Sequence, residues 1–224
     1  MSMKIKLLIG VLALLATGLP GHAQDCILGY QTKMDQLLPL AIIQKHYKGD
    51  LSNAELKYRK SDPKYAKRDT YEYIWKSGRI RKMTVAGRQM EVPDDNRIGL
   101  AWINEVDTKR YPDPVTYFKS FYRTATEAEK QQAAALIDKK LKENGATKTG
   151  QAAGNAVGNT LISTQGYETI VGVGDAAAWD LTSSQLVVLK GRTTFKVTAL
   201  TGTDVKANQE LAKKLAAEVL TSCK

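Results

Sequence analysis

The spacing of apolar positions changes period several times along this chain, and each change marks an element. Residues 26–36 recur at helical spacing, with Thr32 and Asp35 placed as a capping box. Pro39 to His46 reads as a second helix, opened by its proline and ended by Gly49. Strand-like segments follow. Ala54 to Lys60 is short and polar, and Thr70 to Trp75 alternates with Tyr71, Tyr73 and Trp75 on one side. Ser77-Gly78 turns the chain into Arg79 to Val85, which fits as the hairpin partner of Thr70–Trp75. Arg97 to Val106 reads as another strand, entered from the turn-like Pro93-Asp94-Asp95-Asn96.

Helical period then returns. Asp113 to Tyr122 places Val115, Phe118, Phe121 and Tyr122 on one side. Glu127 to Glu143 carries a Thr126/Glu129 capping box and a stripe of Ala133, Leu136, Ile137 and Leu141. Residues 144–160, rich in Gly, Ala, Asn and Thr, read as a loop or weak helix and as a flexible segment. The last third predicts a strand from Tyr167 to Val173. A hairpin follows, from Leu186–Leu189 through Lys190-Gly191-Arg192 into Thr193–Leu200. A closing helix from Asp204 to Leu220 carries Val205, Leu211, Leu215 and Leu220 near one face. Strands in runs between helical blocks predict an α+β fold, a mostly antiparallel sheet flanked by helices. A helix followed by strands occurs both before and after about residue 110, so two topologically similar halves are compatible with the order.

The first 23 residues follow a different pattern. Lys4 and Lys6 precede an apolar run from Leu7 to Ala16; Pro20 breaks it, and Gly21-His22-Ala23 offers small residues at a cleavage site. A membrane span needs roughly 20 apolar residues, about twice this run. Residues 1–23 are therefore expected to be a signal peptide, and residues 24–224 one soluble domain, periplasmic or extracellular, with no span left after cleavage.

That address changes how the rest is read. The chain has formal net charge +10, or +8 once Lys4 and Lys6 leave with the leader. A basic protein suggests nucleic acid, but export replaces that partner with another envelope protein or an anionic glycan or lipid surface. Lys57, Arg59, Lys60, Lys64, Lys67, Arg68, Lys76, Arg79, Arg81, Lys82 and Arg88 crowd one stretch. They read either as an anion-binding patch or as solvated strand faces that discourage edge pairing. Arg79, Arg81 and Lys82, with the ring face Tyr71/Tyr73/Trp75, form the candidate binding surface. The same ring alternation also suits a buried face.

Cys26 and Cys223 are the chain's two cysteines. In an oxidising compartment a terminal pair favours a disulfide that pins the first and last helices together. Asp25 directly before Cys26 suits a lipid anchor badly. His46 is the one histidine left after the leader, which removes multi-histidine metal sites. Asp94/Asp95 and Glu105/Asp107 are neighbours in sequence and do not form a differentiated acid–base pair. No catalytic, cofactor-binding or metal residues are expected. The string Val171-Gly172-Val173-Gly174-Asp175 lacks a nucleotide fingerprint, so Gly172, Gly174 and Asp175 read as a structural turn.

The order Val171-Gly172-Val173-Gly174-Asp175-Ala176-Ala177-Ala178-Trp179, then Leu186-Val187-Val188-Leu189-Lys190-Gly191, then Phe195-Lys196-Val197 and an amphipathic helix resembles a group of small secreted bacterial domains of unknown function. These are often lipoproteins, with a fold similar to the photosystem-associated PsbP protein. The likeness covers residues 165–222. It implies a fold and an address and transfers no catalytic residues. The expected role is an exported, non-enzymatic binding or accessory protein of the envelope. The rivals are a hydrolase acting on envelope polymers, which needs a carboxylate near His46 or Asp175, and a purely structural interaction protein.

Overall fold

The computed structural model describes residues 26–223 apart from 86, 87 and 165; the signal-peptide assignment of residues 1–23 lies outside them. Its centre is a seven-stranded antiparallel sheet in the order β1-β2-β5-β9-β8-β7-β6. Those strands are β1 (Glu55–Arg59), β2 (Thr70–Trp75), β5 (Asn96–Glu105), β6 (Tyr167–Ile170), β7 (Ala176–Asp180), β8 (Gln185–Lys190) and β9 (Thr193–Leu200). β3 (Ile80–Val85) and β4 (Arg88–Pro93) form a separate two-stranded arm between β2 and β5. The helices are α1 (Met34–Leu37), α2 (Leu40–His46), α3 (Pro114–Phe121), α4 (Glu127–Glu143), α5 (Lys148–Thr164) and α6 (Val205–Thr221), with a 3-10 helix at Pro63–Arg68. The fold is α+β, as the alternation of patterns predicts.

Alternation decides which side of each strand is buried. Ile98 and Leu100 on β5, Val197 and Ala199 on β9, Leu186 and Val188 on β8, and Trp179 on β7 pack on one face. Over them lie Leu211, Leu215 and Val219 of α6, with Met34, Leu37 and Ile43 of the short N-terminal helices. The opposite face carries a second cluster, in which Phe118 of α3 covers Ala178, Val187 and Leu189. Beyond it the face turns polar. Lys57, Glu72, Gly99, Thr198, Gln185 and Asp180 stand side by side across consecutive strands. Gln185 Nε2 donates to Thr198 Oγ1 at 3.0 Å, and Thr198 Oγ1 donates to Glu72 Oε1 at 2.9 Å. That last bond crosses β5 at Gly99, where a Cβ would sit 2.0 Å from the Tyr71 carbonyl.

The Cys26–Cys223 bridge is present, with Cα atoms 5.6 Å apart and a sequence separation of 197. It joins the helical turn at residues 26–28 to the end of α6. No described helix is long and apolar enough to cross a membrane.

Several local expectations need correction. Of the loop and the weak helix that residues 144–160 left open, the structure has the helix, α5, at Lys148–Thr164. Its glycines draw it against α4: a Cβ at Gly154 would come within 2.7 Å of Leu141, and one at Gly158 within 2.7 Å of Ile137. β3 pairs with β4 and not with β2, whose free edge is taken by the longer β5, Tyr71 opposite Leu100. Ala176–Asp180 is a strand, paired on both sides, that its alanines conceal. The strand from Tyr167 stops at Ile170, since Gly172 turns the chain at φ +81°. Helix α1 starts after Lys33 with no side-chain cap, so Thr32 and Asp35 do not form a capping box. The two strand blocks share one continuous sheet through the β5–β9 pairing.

Candidate functional site

The surface expected from sequence comes apart in the structure. Tyr71 is buried, and Tyr73 and Trp75 pack against the same core, so these rings hold the sheet to its helices. Tyr71 Oη donates to Tyr73 Oη at 3.1 Å, and burial pushes the Tyr71 phenol far above its ordinary range. Arg79 is clamped at the base of the arm, its Nε 3.2 Å from Asp94 Oδ2 and its Nη2 3.1 Å from the Asp94 carbonyl. Arg81 and Lys82 stand exposed on the arm, a two-stranded sheet separate from the one that carries the ring face.

The hydrolase reading asks for a carboxylate near His46 or Asp175, and His46 has one in Glu218, shared with Lys45. His46 Nε2 lies 2.7 Å from Glu218 Oε1, which accepts Lys45 Nζ at 2.6 Å; this cluster ties α2 to α6. Asp175 accepts Lys190 Nζ at 2.9 Å and the Gly191 N–H, and its own N–H donates to the Leu189 carbonyl. Burial raises the Asp175 carboxyl, but these two donors outweigh it and hold it below the usual range. With Gly172 at φ +81° and Gly174 at φ +60°, Asp175 braces the turn between β8 and β9. Among the described residues no three His, Cys, Asp or Glu side chains gather as a metal-ligand set.

A different site emerges at the far end of β5. Between Ala101 and Asn104, β5 uses one residue more than β9 opposite it, and the excess is a bulge. Strict alternation from Ile98 and Leu100 would carry Trp102 into the core. The bulge instead buries Ile103 and turns Trp102 outward, 45 % exposed. Trp102 takes φ +56°, a left-handed conformation that costs a bulky residue about 1–3 kcal/mol. Its amide donates to the Asp69 carbonyl at 3.1 Å, and Lys196 Nζ lies 4.8 Å from its ring centroid. Burial lowers the Lys196 ammonium pKa, partly offset by Asp180.

Trp102 borders an open groove of about 820 Å³, lined also by Tyr111, Tyr117, Tyr122, Lys67 and Arg68. The rings are linked in series: Tyr111 and Tyr117 have centroids 4.2 Å apart, Tyr117 and Phe121 5.1 Å, and Phe121 and Tyr122 6.2 Å. Desolvation, helped by Tyr117 and Tyr167, pushes the Tyr122 phenol up to about 12, so it keeps its proton. Gln31 Nε2 donates to the Ile103 carbonyl at 2.7 Å and so braces the bulge from behind. The groove's carboxylates have structural duties. Glu105 Oε1 lies 3.1 Å from Arg192 Nε, and Asp107 Oδ1 accepts the amides of Lys109 and Arg110.

None of the groove's aromatic residues is marked in the sequence as a binding residue; Tyr122 shows there only as part of the apolar side of its helix. A bulge leaves no mark in hydrophobic period, and Tyr111, Tyr117 and Tyr122 come from a loop and a helix that meet β5 only in three dimensions. No family model, curated protein or solved structure matches the chain.

Proposed function

We propose that this chain is an exported, non-catalytic binding protein that holds a polar, ring-bearing ligand in the groove beside Trp102. The observation that carries this reading is Trp102 itself. A tryptophan held at a backbone cost, turned out of a core it could have filled, gains nothing for the fold by its exposure. It does offer a flat apolar face, and sugar and other planar rings stack on such faces. Tyrosine hydroxyls and amides around it supply directional polar contacts, the usual composition of a ligand cleft.

Binding is favoured over cleavage because Glu105 and Asp107 are both committed to contacts within the protein, where an acid–base pair needs two carboxyls in contrasting environments facing substrate. Export is supported by the leader pattern of residues 1–23, by the likeness of residues 165–222 to secreted PsbP-like domains, and by a disulfide that an oxidising compartment would maintain.

The test is acrylamide quenching of tryptophan fluorescence during titration with pyranose oligosaccharides. Trp179 is buried and Trp75 partly so, which makes Trp102 the most accessible indole. Ligand protection in the wild type that disappears in Trp102→Ala supports the reading. Unchanged quenching across the whole panel overturns it.

A further inference from the structure

We infer that the ligand of this groove is an acidic polysaccharide, a chain of sugar rings bearing carboxylate or similar anionic groups. This inference rests on the binding role proposed for the Trp102 groove and adds the chemistry of what enters it.

The argument is one of charge that the fold leaves unspent. Most cations hold acids: Lys76 with Asp95, Arg79 with Asp94, Arg123 with Glu129 and, in the groove itself, Arg192 with Glu105. Along the basic stretch 57–68 they do not. Among the described residues, Lys57, Arg59, Lys60, Lys64, Lys67 and Arg68 have no carboxylate partner. The two acids of that stretch are turned to the backbone. Asp62 caps the 3-10 helix through the Lys64 amide at 3.1 Å, and buried Asp69 accepts the Ser61 amide at 2.7 Å.

Three of these six lie against rings. Lys60 Nζ is 4.4 Å from the Tyr58 centroid, Lys64 Nζ 5.0 Å from Tyr65, and the Arg68 guanidinium 5.2 Å from the same ring. Across the groove the Arg110 guanidinium is 5.3 Å from Tyr111. A cation seated on a ring face is positioned without being neutralised, so its full charge stays available to an anion.

The arrangement is also extended. Arg59 and Lys196 share a sheet row and a face, with Thr70 and Ala101 between them, so three strand spacings of about 4.8 Å separate them. Lys196 over the Trp102 ring, with Lys67 and Arg68 in the groove wall, thus sets positive charge around the indole, and Arg59 stands further out in the same row at the β1 edge. Rings and positive charges set side by side in this way fit a polymer whose units each carry a ring and a negative charge. Single-stranded nucleic acid has the same two properties. The disulfide-bonded body and the leader pattern favour the glycan, which occurs outside the cytoplasm.

The experiment uses the disulfide-bonded chain and isothermal titration with three probes: polygalacturonate fragments, a neutral cello-oligosaccharide and oligothymidylate. Polygalacturonate is expected to bind, protect Trp102 from acrylamide, and lose roughly tenfold in affinity between low and physiological salt. Lys67→Ala with Arg68→Ala is expected to weaken it about fivefold to tenfold, with unchanged thermal melting because both side chains are exposed. Arg81→Ala with Arg88→Ala, on the arm, is expected to leave it unaltered. Equal, salt-independent binding of the neutral chain overturns the acidic assignment and leaves the groove reading standing. Tighter binding of oligothymidylate overturns the glycan assignment. Failure of every probe to bind or to protect Trp102 overturns both.

Discussion

The Trp102 amide donates to the Asp69 carbonyl, and through that bond the outward indole is tied to the end of the basic 3-10 helix. The Asp69 side chain, 1 % exposed, holds the Ser61 amide on the other side of that helix. One buried residue therefore registers the cationic lip of the groove against its aromatic platform.

Replacing Asp69 with alanine leaves the Ser61 N–H without its acceptor, at a cost of about 1–3 kcal/mol. Asp69 lines no part of the groove, yet ligand affinity is expected to fall, because the lip loses its fixed distance from Trp102. Asp69→Asn, which keeps an acceptor oxygen, is expected to restore most of both. Chemical denaturation and ligand titration of the two variants check this. Unchanged affinity in a destabilised Asp69→Ala protein would show that the lip is positioned by other contacts.

The terminal cross-link acts on a different scale. A bridge between Cys26 and Cys223 closes almost the whole described chain, and chain-entropy bookkeeping gives such a loop about 5 kcal/mol as an upper figure. The double replacement with serine is expected to cost ~2–5 kcal/mol, read as a lower denaturant midpoint. Wild-type protein treated with reductant should fall to nearly the same midpoint. Its oxidised intact mass should be lighter than the reduced mass by two hydrogens.

Glu218 gives the fold a pH signature. Lys45 first, then His46, hold its carboxyl below the ordinary glutamate range. A folded-state pKa lowered in this way contributes stability above the ordinary carboxylate range, and the contribution is lost as pH falls through the lowered value. Glu218→Gln is expected to melt lower than wild type by about 2–4 °C near neutrality, the shift of a ~1 kcal/mol loss in a chain this size. The two melting curves should converge in acid, once pH has fallen through the lowered value and the wild-type carboxyl is itself neutral. A gap that persists in acid would assign the effect to packing.

How much of this was legible in the sequence depends on whether a feature is local. The helix Glu127–Glu143 and its Thr126/Glu129 capping box lie where pattern and cap chemistry place them, because both are written within one turn of chain. The strand Thr70–Trp75 is likewise as its alternation predicts. Helix α5 was obscured because its glycines are poor helix formers alone and acquire their value only against Leu141 and Ile137. Strand β7 was obscured because Ala176, Ala177 and Ala178 have little strand preference, and Leu186 to Leu189 beside them decides the matter. The groove was least legible of all. Lys67 and Arg68 were visible as part of a basic run, while the bulge that makes them matter has no local signature.

That bulge supplies the sharpest test of the groove. Trp102→Gly removes a strain of about 1–3 kcal/mol at φ +56° and adds a backbone entropy cost of about 0.5–1 kcal/mol. It also removes the contact with Lys196, so net stability is expected to stay within ~1 kcal/mol of wild type or to rise. Ile103→Ala, one residue on, empties a fully buried site and is expected to cost about 2–5 kcal/mol. Ligand binding should show the opposite ranking: abolished in the stable Trp102→Gly protein, and retained in Ile103→Ala wherever that protein is folded. Thermal melting and fluorescence titration of the pair separate the two roles. A Trp102→Gly protein that is strongly destabilised would mean that the indole serves the fold, and the case for a ligand platform would fail with it.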